Sequence, residues 1–176
     1  MQKQSYNRVI VTLDFGSKNM NKEQTCCVTG HRDIPADAKK TIRAELRGAL
    51  LLAIGDGYTH FISGFATGAD LMFAEIVTEL KNDYPITLEA AIPYPGRMKT
   101  QDIDFQRLIG CCDVVKVHSE RYFKWCFMRR NRYMVDVSQR VIAVYDGRET
   151  GGTAATVRYA LKKGLQICTI SSKLVK

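Results

Sequence analysis

The chain has 176 residues, 45% of them hydrophobic and 25% charged, enough apolar material for one compact domain with a substantial core. Its apolar runs fall far short of the roughly 20 residues that span a bilayer, so no membrane partner is expected, and no low-complexity tract or internal repeat divides it. A formal net charge of +8 points instead to an anionic partner, either nucleic acid or a small phosphorylated molecule.

Residues 1–24 read as an N-terminal extension. Met1 to Asn7 is polar and lacks the apolar core of a secretion signal, so the cytoplasm is the expected location. Arg8 to Leu13 alternates like an edge strand, and Asp14 to Gln24 reads as a surface connection. From residue 25 to 176 a single domain is expected, in which short apolar runs alternate with segments of helical period. The first run, Thr25 to Thr29, is followed by Ile42, Leu46, Ala49, Leu50 and Ala53, one apolar stripe of a helix that stops at Gly55 and Gly57. Then come a strand at Tyr58 to Ile62, a helix at Ala69 to Lys81, a strand at Ile86 to Ile92 and a helix at Thr100 to Ile109. A strand at Asp113 to Val117, a helix at Trp125 to Val137, a strand at Arg140 to Tyr145, a helix at Thr153 to Lys163 and a strand at Leu165 to Ile170 complete the series. The pattern predicts an α/β, Rossmann-like fold, an open and mainly parallel sheet with helices on both faces. The six cysteines include no CxxC or Cys/His ligand spacing and read as buried thiols in or beside strands.

In sheets of this kind ligands sit beyond the carboxyl ends of the strands, near the point where strand order reverses. Five loops leave those ends: Thr29 to Arg32, Ser63 to Asp70, Pro93 to Arg97, His118 to Lys124 and Asp146 to Thr153. Two of them, Ser63-Gly64-Phe65-Ala66-Thr67-Gly68-Ala69-Asp70 and Asp146-Gly147-Arg148-Glu149-Thr150-Gly151-Gly152-Thr153, are glycine turns that open a helix. The first N–H groups of a helix have no internal partner and favour an anion, so the expected guest is a phosphate. Neither the GxGxxG nor the GxxxxGK[ST] nucleotide motif occurs.

Roles follow from residue type. Gly30, Gly64, Gly151 and Gly152 allow close backbone approach, Gly68 allows a sharp turn, and Thr29, Ser63 and Thr153 supply hydroxyls. Arg32 suits a bidentate phosphate contact, and Asp70, Asn131 and Asp146 suit ribose hydroxyls or a base edge. His31 either meets the ligand or bonds a backbone carbonyl. Arg129, Arg130 and Arg132 cannot share one helix face, and Arg132 is expected to point into the crevice, with Asp136 one turn away to orient it. Around them Lys116, Arg121, Lys124 and Arg129 interleave with Tyr122, Phe123, Trp125 and Phe127. Trp125, Phe127, Met128 and Met134 read as core residues, with base stacking as the alternative for the aromatic ones.

Ser63-Gly64 with Gly68 and Asp70, then Arg130-Asn131-Arg132, then Gly151-Gly152-Thr153 before an Ala-rich helix resemble the SLOG superfamily and, within it, the YpsA-like branch. The resemblance runs from about Cys26 to Ile170, and Val28-Thr29-Gly30-His31-Arg32 is similar to the same branch. It implies a Rossmann-like fold and a nucleotide-derived or nucleic-acid ligand. Resemblance to the DprA-like members, with SGxAxGxD and RNR motifs, implies single-stranded DNA binding, with Arg130 and Arg132 on phosphates and Trp125 or Tyr122 on a base. The LOG members, which release a base from a nucleoside monophosphate, carry PGGxGTxxE. Here, with Gly152-Thr153 aligned to the motif's GT, Thr156 stands at the glutamate, and Thr150, not a proline, precedes Gly151.

The principal expectation is a sensor or processing protein for a nucleotide or nucleotide-derived ligand, for example of ADP-ribose or NAD type. One alternative is single-stranded DNA binding through Arg121, Lys124, Arg129 and Arg130. The other is N-glycosidic hydrolysis, for which Glu75 is the acid to test; Glu75 otherwise pairs with Arg129 or Arg132, and Asp70 otherwise serves the helix end. His31, His60 and His118 have no metal-ligand spacing, so no metal is required, although a phosphorylated ligand can bring Mg²⁺. A homo-oligomer is compatible with the sequence.

Overall fold

The computed structural model describes residues 11–13 and 24–172. Among the described residues the elements run β1 (Val11–Leu13), β2 (Thr25–Gly30), α1 (Lys39–Gly55), β3 (His60–Ser63), α2 (Ala69–Leu80), β4 (Thr87–Ile92) and α3 (Ile103–Ile109). They continue with β5 (Val114–Val117), α4 (Cys126–Asp136), β6 (Arg140–Tyr145), α5 (Gly152–Lys162) and β7 (Gln166–Ser171). The strands form one sheet in the order β1-β5-β4-β3-β2-β6-β7, and every pairing is parallel. This is the expected Rossmann-like architecture. Val11–Leu13 pairs with β5 at the edge, where the alternation of 8–13 predicts a strand; residues 8–10 and the connection 14–23 lie outside the described residues.

Chain order explains the layers. From β2 to β5 the chain steps outward in one direction, and right-handed crossovers put α1, α2 and α3 together on one face. It then jumps back past β2 to β6 and steps the other way, so α4 and α5 share the opposite face. The strand residues divide accordingly: Cys26 and Val28 join the core beneath α1 to α3, while Cys27 joins Met134, Val135 and Ala160 beneath α4 and α5. Cys26, Cys27 and Cys126 are buried as expected, whereas Cys111, Cys112 and Cys168 are half-buried. Helix α3 begins three residues later than its pattern predicts, because Asp102 caps it by accepting the Phe105 N–H at 3.0 Å after a 3₁₀ turn at Pro95–Lys99.

One charged cluster ties α4 to the sheet. Glu89 is fully buried in β4, where Tyr133 Oη donates to it at 2.7 Å, and His60 Nε2 and Lys116 Nζ lie 3.2 and 3.3 Å away. Burial pushes this carboxyl up, and the hydrogen bond from His60, the charge of Lys116 and the hydrogen bond from Tyr133 together outweigh it, leaving its pKa below the usual value.

Two glycines set how closely the elements approach. A Cβ on Gly30 would come within 2.3 Å of the Ala69 Cβ, so the start of α2 rests directly on the end of β2. Gly68 has φ +82°, and a Cβ there would lie 2.4 Å from the Arg32 carbonyl oxygen. Gly68→Ala is therefore expected to lose about 3 kcal/mol of unfolding free energy in urea titration, from combined backbone strain and overpacking. Gly152→Ala, whose Cβ would meet nothing within 4 Å, is expected to stay within about 0.5 kcal/mol of wild type in the same titration.

Candidate functional site

Strand order reverses between β2 and β6, and the crevice lies beyond the carboxyl ends of those two strands. Its volume is about 360 Å³. Thr29, Gly30, His31 and Arg32 come to it from β2, Asp70 from α2, and Gly151, Gly152 and Thr153 from the turn before α5. Asn131 and Arg130 reach it from α4. Ser63, Gly64, Gly68, Asp146, Arg132 and Glu75 are not among its walls.

The two glycine turns differ in what their donors do. In the first, Ser63 Oγ donates to the Asp70 carbonyl at 2.8 Å and accepts the Phe65 N–H at 3.2 Å. Ala69 N–H bonds the His31 carbonyl, Leu71 N–H bonds the Ala66 carbonyl, and the Asp70 carboxylate accepts the Ala66 N–H at 3.3 Å. The Phe65, Ala66, Ala69 and Leu71 donors are thus spent within the loop or on the neighbouring His31 carbonyl. In the second turn, Gly151 at φ +98° is the N-cap of α5 and has no side chain to cap it. The first intrahelical bond there is from Ala155 N–H to the Gly151 carbonyl, so the N–H groups of Gly152, Thr153 and Ala154 stand ahead of the helix ladder. That end of α5 is the anion-receptive one. Thr153 Oγ1 donates to the Gly30 carbonyl at 2.9 Å, which fixes the hydroxyl at the mouth of β2.

Arg130 takes the place expected for Arg132. Cys126, Arg130 and Met134 follow one another at four-residue steps along the buried stripe of α4, which turns Arg132 outward over the Tyr159 ring, 5.6 Å from its centroid. Asp136 does not orient Arg132 either; it binds Lys163 at 2.8 Å and the Tyr159 hydroxyl at 2.9 Å. Arg130 is 4% exposed and donates from Nη1 to the carbonyls of Gly64 and, at 3.0 Å, Ala91. Its Nε donates to Asn131 Oδ1, and Asn131 Nδ2 donates to Thr156 Oγ1, whose own hydrogen goes to the Gly152 carbonyl. Thr156, the residue at the hydrolase glutamate position, is buried and holds the α5 turn in place.

Other expected roles shift. Glu75 lies on the far side of α2 in a separate cavity of about 550 Å³ bounded by α1 and α3. Arg43 and Arg107 each donate to its carboxylate at 2.8 Å, so the acid is paired and away from the crevice, and its partners are not Arg129 or Arg132. The Asp146 carboxylate is held by Arg148 at 2.6 Å and by His31 Nε2 at 2.9 Å, and Arg148 chiefly keeps it well below the usual carboxylate range. This also gives His31 a carboxylate partner where a backbone carbonyl was the alternative. Trp125 is 61% exposed and Tyr122 63%, so the core reading holds for Met134 and fails for Trp125. Lys124 Nζ sits 4.9 Å from the Trp125 centroid, and Arg121 and Arg129 are exposed beside it. Tyr94 and Arg97, beyond the expected site residues, share a concavity with Arg32 and Arg130, on a loop that leaves a strand end like the others.

Asp70 is the one strongly perturbed carboxyl on the crevice wall. Burial pushes it up to about 6 against the pull of Arg130, the Ala66 N–H and Arg32. The fold binds this proton more tightly than the unfolded chain does, so its contribution to stability is complete below about 3.8 and is lost as pH rises through about 6. The difference in unfolding free energy between wild type and Asp70→Asn, measured in urea from pH 4 to 7.5, is expected to move against wild type across that window and then level off.

A UPF0398 protein of Bacillus pumilus is 26% identical over 131 residues, covering 70% of each chain. The SPbeta prophage-derived protein YoqJ of Bacillus subtilis is 29% identical over 146 residues, covering 70% of this chain and 85% of its own. Among solved structures, the single-stranded-DNA-binding DNA processing protein A of Helicobacter pylori superposes with a TM-score of 0.63 at 18% identity, covering 89% of this chain and 69% of that one, a likeness of fold. The family model that matches describes the YspA SLOG family (YpsA) and covers residues 26–173; with the fold and its three motifs in place, the chain belongs to that family.

Proposed function

We propose that the protein binds a nucleotide or nucleotide-derived ligand in the crevice at the β2/β6 reversal, with a phosphate seated on the N-terminus of α5. The observation that carries this reading is the uncapped Gly151–Thr153 turn facing Arg32 and the buried Arg130 guanidinium. Backbone N–H groups and a guanidinium recognise phosphate without a metal, so Mg²⁺ enters only with a ligand that carries it. Hydrolysis receives no support from the geometry, since Glu75 is paired elsewhere and Thr156 is spent on the helix turn. The protein is read as a sensor or carrier of its ligand.

The exposed Tyr122 and Trp125 beside Arg121, Lys124 and Arg129 favour a second reading, single-stranded DNA. The Helicobacter protein of similar fold binds such DNA, which supports the same idea. Salt separates the two. Several phosphate contacts along a strand give a steep fall of affinity with ionic strength, whereas a single phosphate on backbone N–H groups gives a shallow one. Gly152→Val, whose side chain enters open space at the turn, is expected to retain the wild-type melting temperature. By calorimetry it should lose nucleotide affinity by at least about tenfold, the cost of displacing the phosphate from its donors. Normal binding by a folded Gly152→Val variant contradicts the crevice reading. The combined Arg121→Ala, Lys124→Ala and Arg129→Ala variant should bind mononucleotides as wild type does, and undiminished oligonucleotide binding by it contradicts the DNA reading.

A further inference from the structure

The cavity between α1, α2 and α3 has Thr67 and Gly68 of the first glycine turn in its wall. Its volume is about 550 Å³, against about 360 Å³ for the crevice, and no residue lines both. Each helix gives it one stripe. Lys39, Lys40 and Arg43 come from α1, Leu71, Met72 and Glu75 from α2, and Asp104, Arg107 and Leu108 from α3, at steps of one, three or four residues. The floor is apolar: Leu71, Met72 and Leu108 are 8%, 7% and 1% exposed, and a methionine adapts to the shape of a guest.

The charges on the walls are unequally spent. Glu75 takes Arg43 on one carboxylate oxygen and Arg107 on the other, both at 2.8 Å, a bridge that ties α1 to α3 across α2. Asp104 meets Arg107 at 3.2 Å, and Asp102 accepts the Phe105 N–H at 3.0 Å as the cap of α3. Each acid of the lining thus has a partner. The Lys39 and Lys40 ammonium groups form no ion pair among the described residues. They stand in the first turn of α1, where the helix dipole disfavours cations, and no acidic residue in that turn offsets them. An anion beside them relieves that repulsion.

We infer that this cavity is a second ligand site, for a small organic acid whose apolar body lies on Leu71, Met72 and Leu108 and whose carboxylate meets Lys39 and Lys40. Its volume falls within the roughly 300–1,000 Å³ that small-ligand sites occupy, and an apolar lining with a few placed polar groups suits such a guest. A neutral apolar guest leaves the two ammonium groups unmatched, and a polyanion such as a nucleoside triphosphate faces the carboxylates of Glu75, Asp102 and Asp104 on the same walls. The site is independent of the phosphate seat at α5, since the two share no residue.

Titration of the full chain with octanoate and with cinnamate, each beside its uncharged alcohol, octanol or cinnamyl alcohol, tests it. Calorimetry gives the affinities, and the Met72 methyl signal of protein labelled with ¹³C-methyl methionine gives the place. At least one acid is expected to bind at millimolar concentration or below and about tenfold or more tighter than its alcohol, with the Met72 signal moving furthest among the methionines. Lys39→Gln combined with Lys40→Gln, at exposed positions, should bring the affinity of that acid down to that of its alcohol and leave Tm unchanged. Failure of both acids to bind, equal affinity for acid and alcohol, a preference that survives the lysine substitutions, or binding that leaves the Met72 signal unmoved overturns the inference.

Discussion

The arrangement of the strand ends depends on one buried guanidinium. Arg130 enters from α4 and is held by the carbonyls of Gly64 and Ala91 and by the Asn131 side chain, at 4% exposure. A buried cation is tolerated when donors such as Nε and Nη1 here are satisfied and an anion stands near, and the Asp70 carboxyl supplies the neighbouring charge. The surroundings are shaped to it. A Cβ at Gly64 would collide with the guanidinium at 2.2 Å and with the Asp70 carboxylate at 2.7 Å, so glycine at this position makes room for the pair. From Arg130 the hydrogen bonds continue through Asn131 and Thr156 to the Gly152 carbonyl, so the same side chain that fills the first glycine turn also steadies the second.

This coupling gives the two glycine turns different work. The first is internally bonded through Ser63, Ala66 and Asp70 and acts as a fixed wall. Neither helix start has a side-chain cap, but at the second the forward N–H groups of Gly152, Thr153 and Ala154 have no bond among the described residues and remain for a guest. Positive groups gather on the same side, with Arg32, Arg97 and Arg130 lining one concavity and the buried, weakened acid Asp70 on the wall of the adjoining crevice. An anion is the ligand such a surface selects.

Much of the fold was legible because buried parallel strands and one-sided helices leave strong periodic signals. The stripe Ile42, Leu46, Ala49, Leu50, Ala53 is the buried face of α1 as read, and each of the six core strands lies within two residues of its apolar run. The site was legible by loop and less so by side chain. That strand-end loops gather in one crevice follows from topology, which the order of elements contains. Which arginine of Arg130-Asn131-Arg132 turns inward depends on helical phase, and that is set by Cys126 and Met134 packing beneath α4. The sequence names those residues without marking them as the buried ones. Glu75 misled for a similar reason: its nearness in sequence to Asp70 hides a turn of α2 that carries it to the opposite side, toward Arg43 and Arg107. Trp125 misled through composition, since a large aromatic is usually core, yet here it caps nothing and lies at the exposed start of α4.

The proposed seat of phosphate is the α5 turn. Amide-resolved NMR titration of the ¹⁵N-labelled protein with a 5′-mononucleotide tests it most directly, because each N–H reports its own environment. The largest shifts are expected on Gly152, Thr153 and Ala154, with the Arg130 side-chain Nε–H following them. Shifts confined to the surface around Tyr122 to Trp125, or to the cavity beside Glu75, with the α5 amides unmoved, would contradict it.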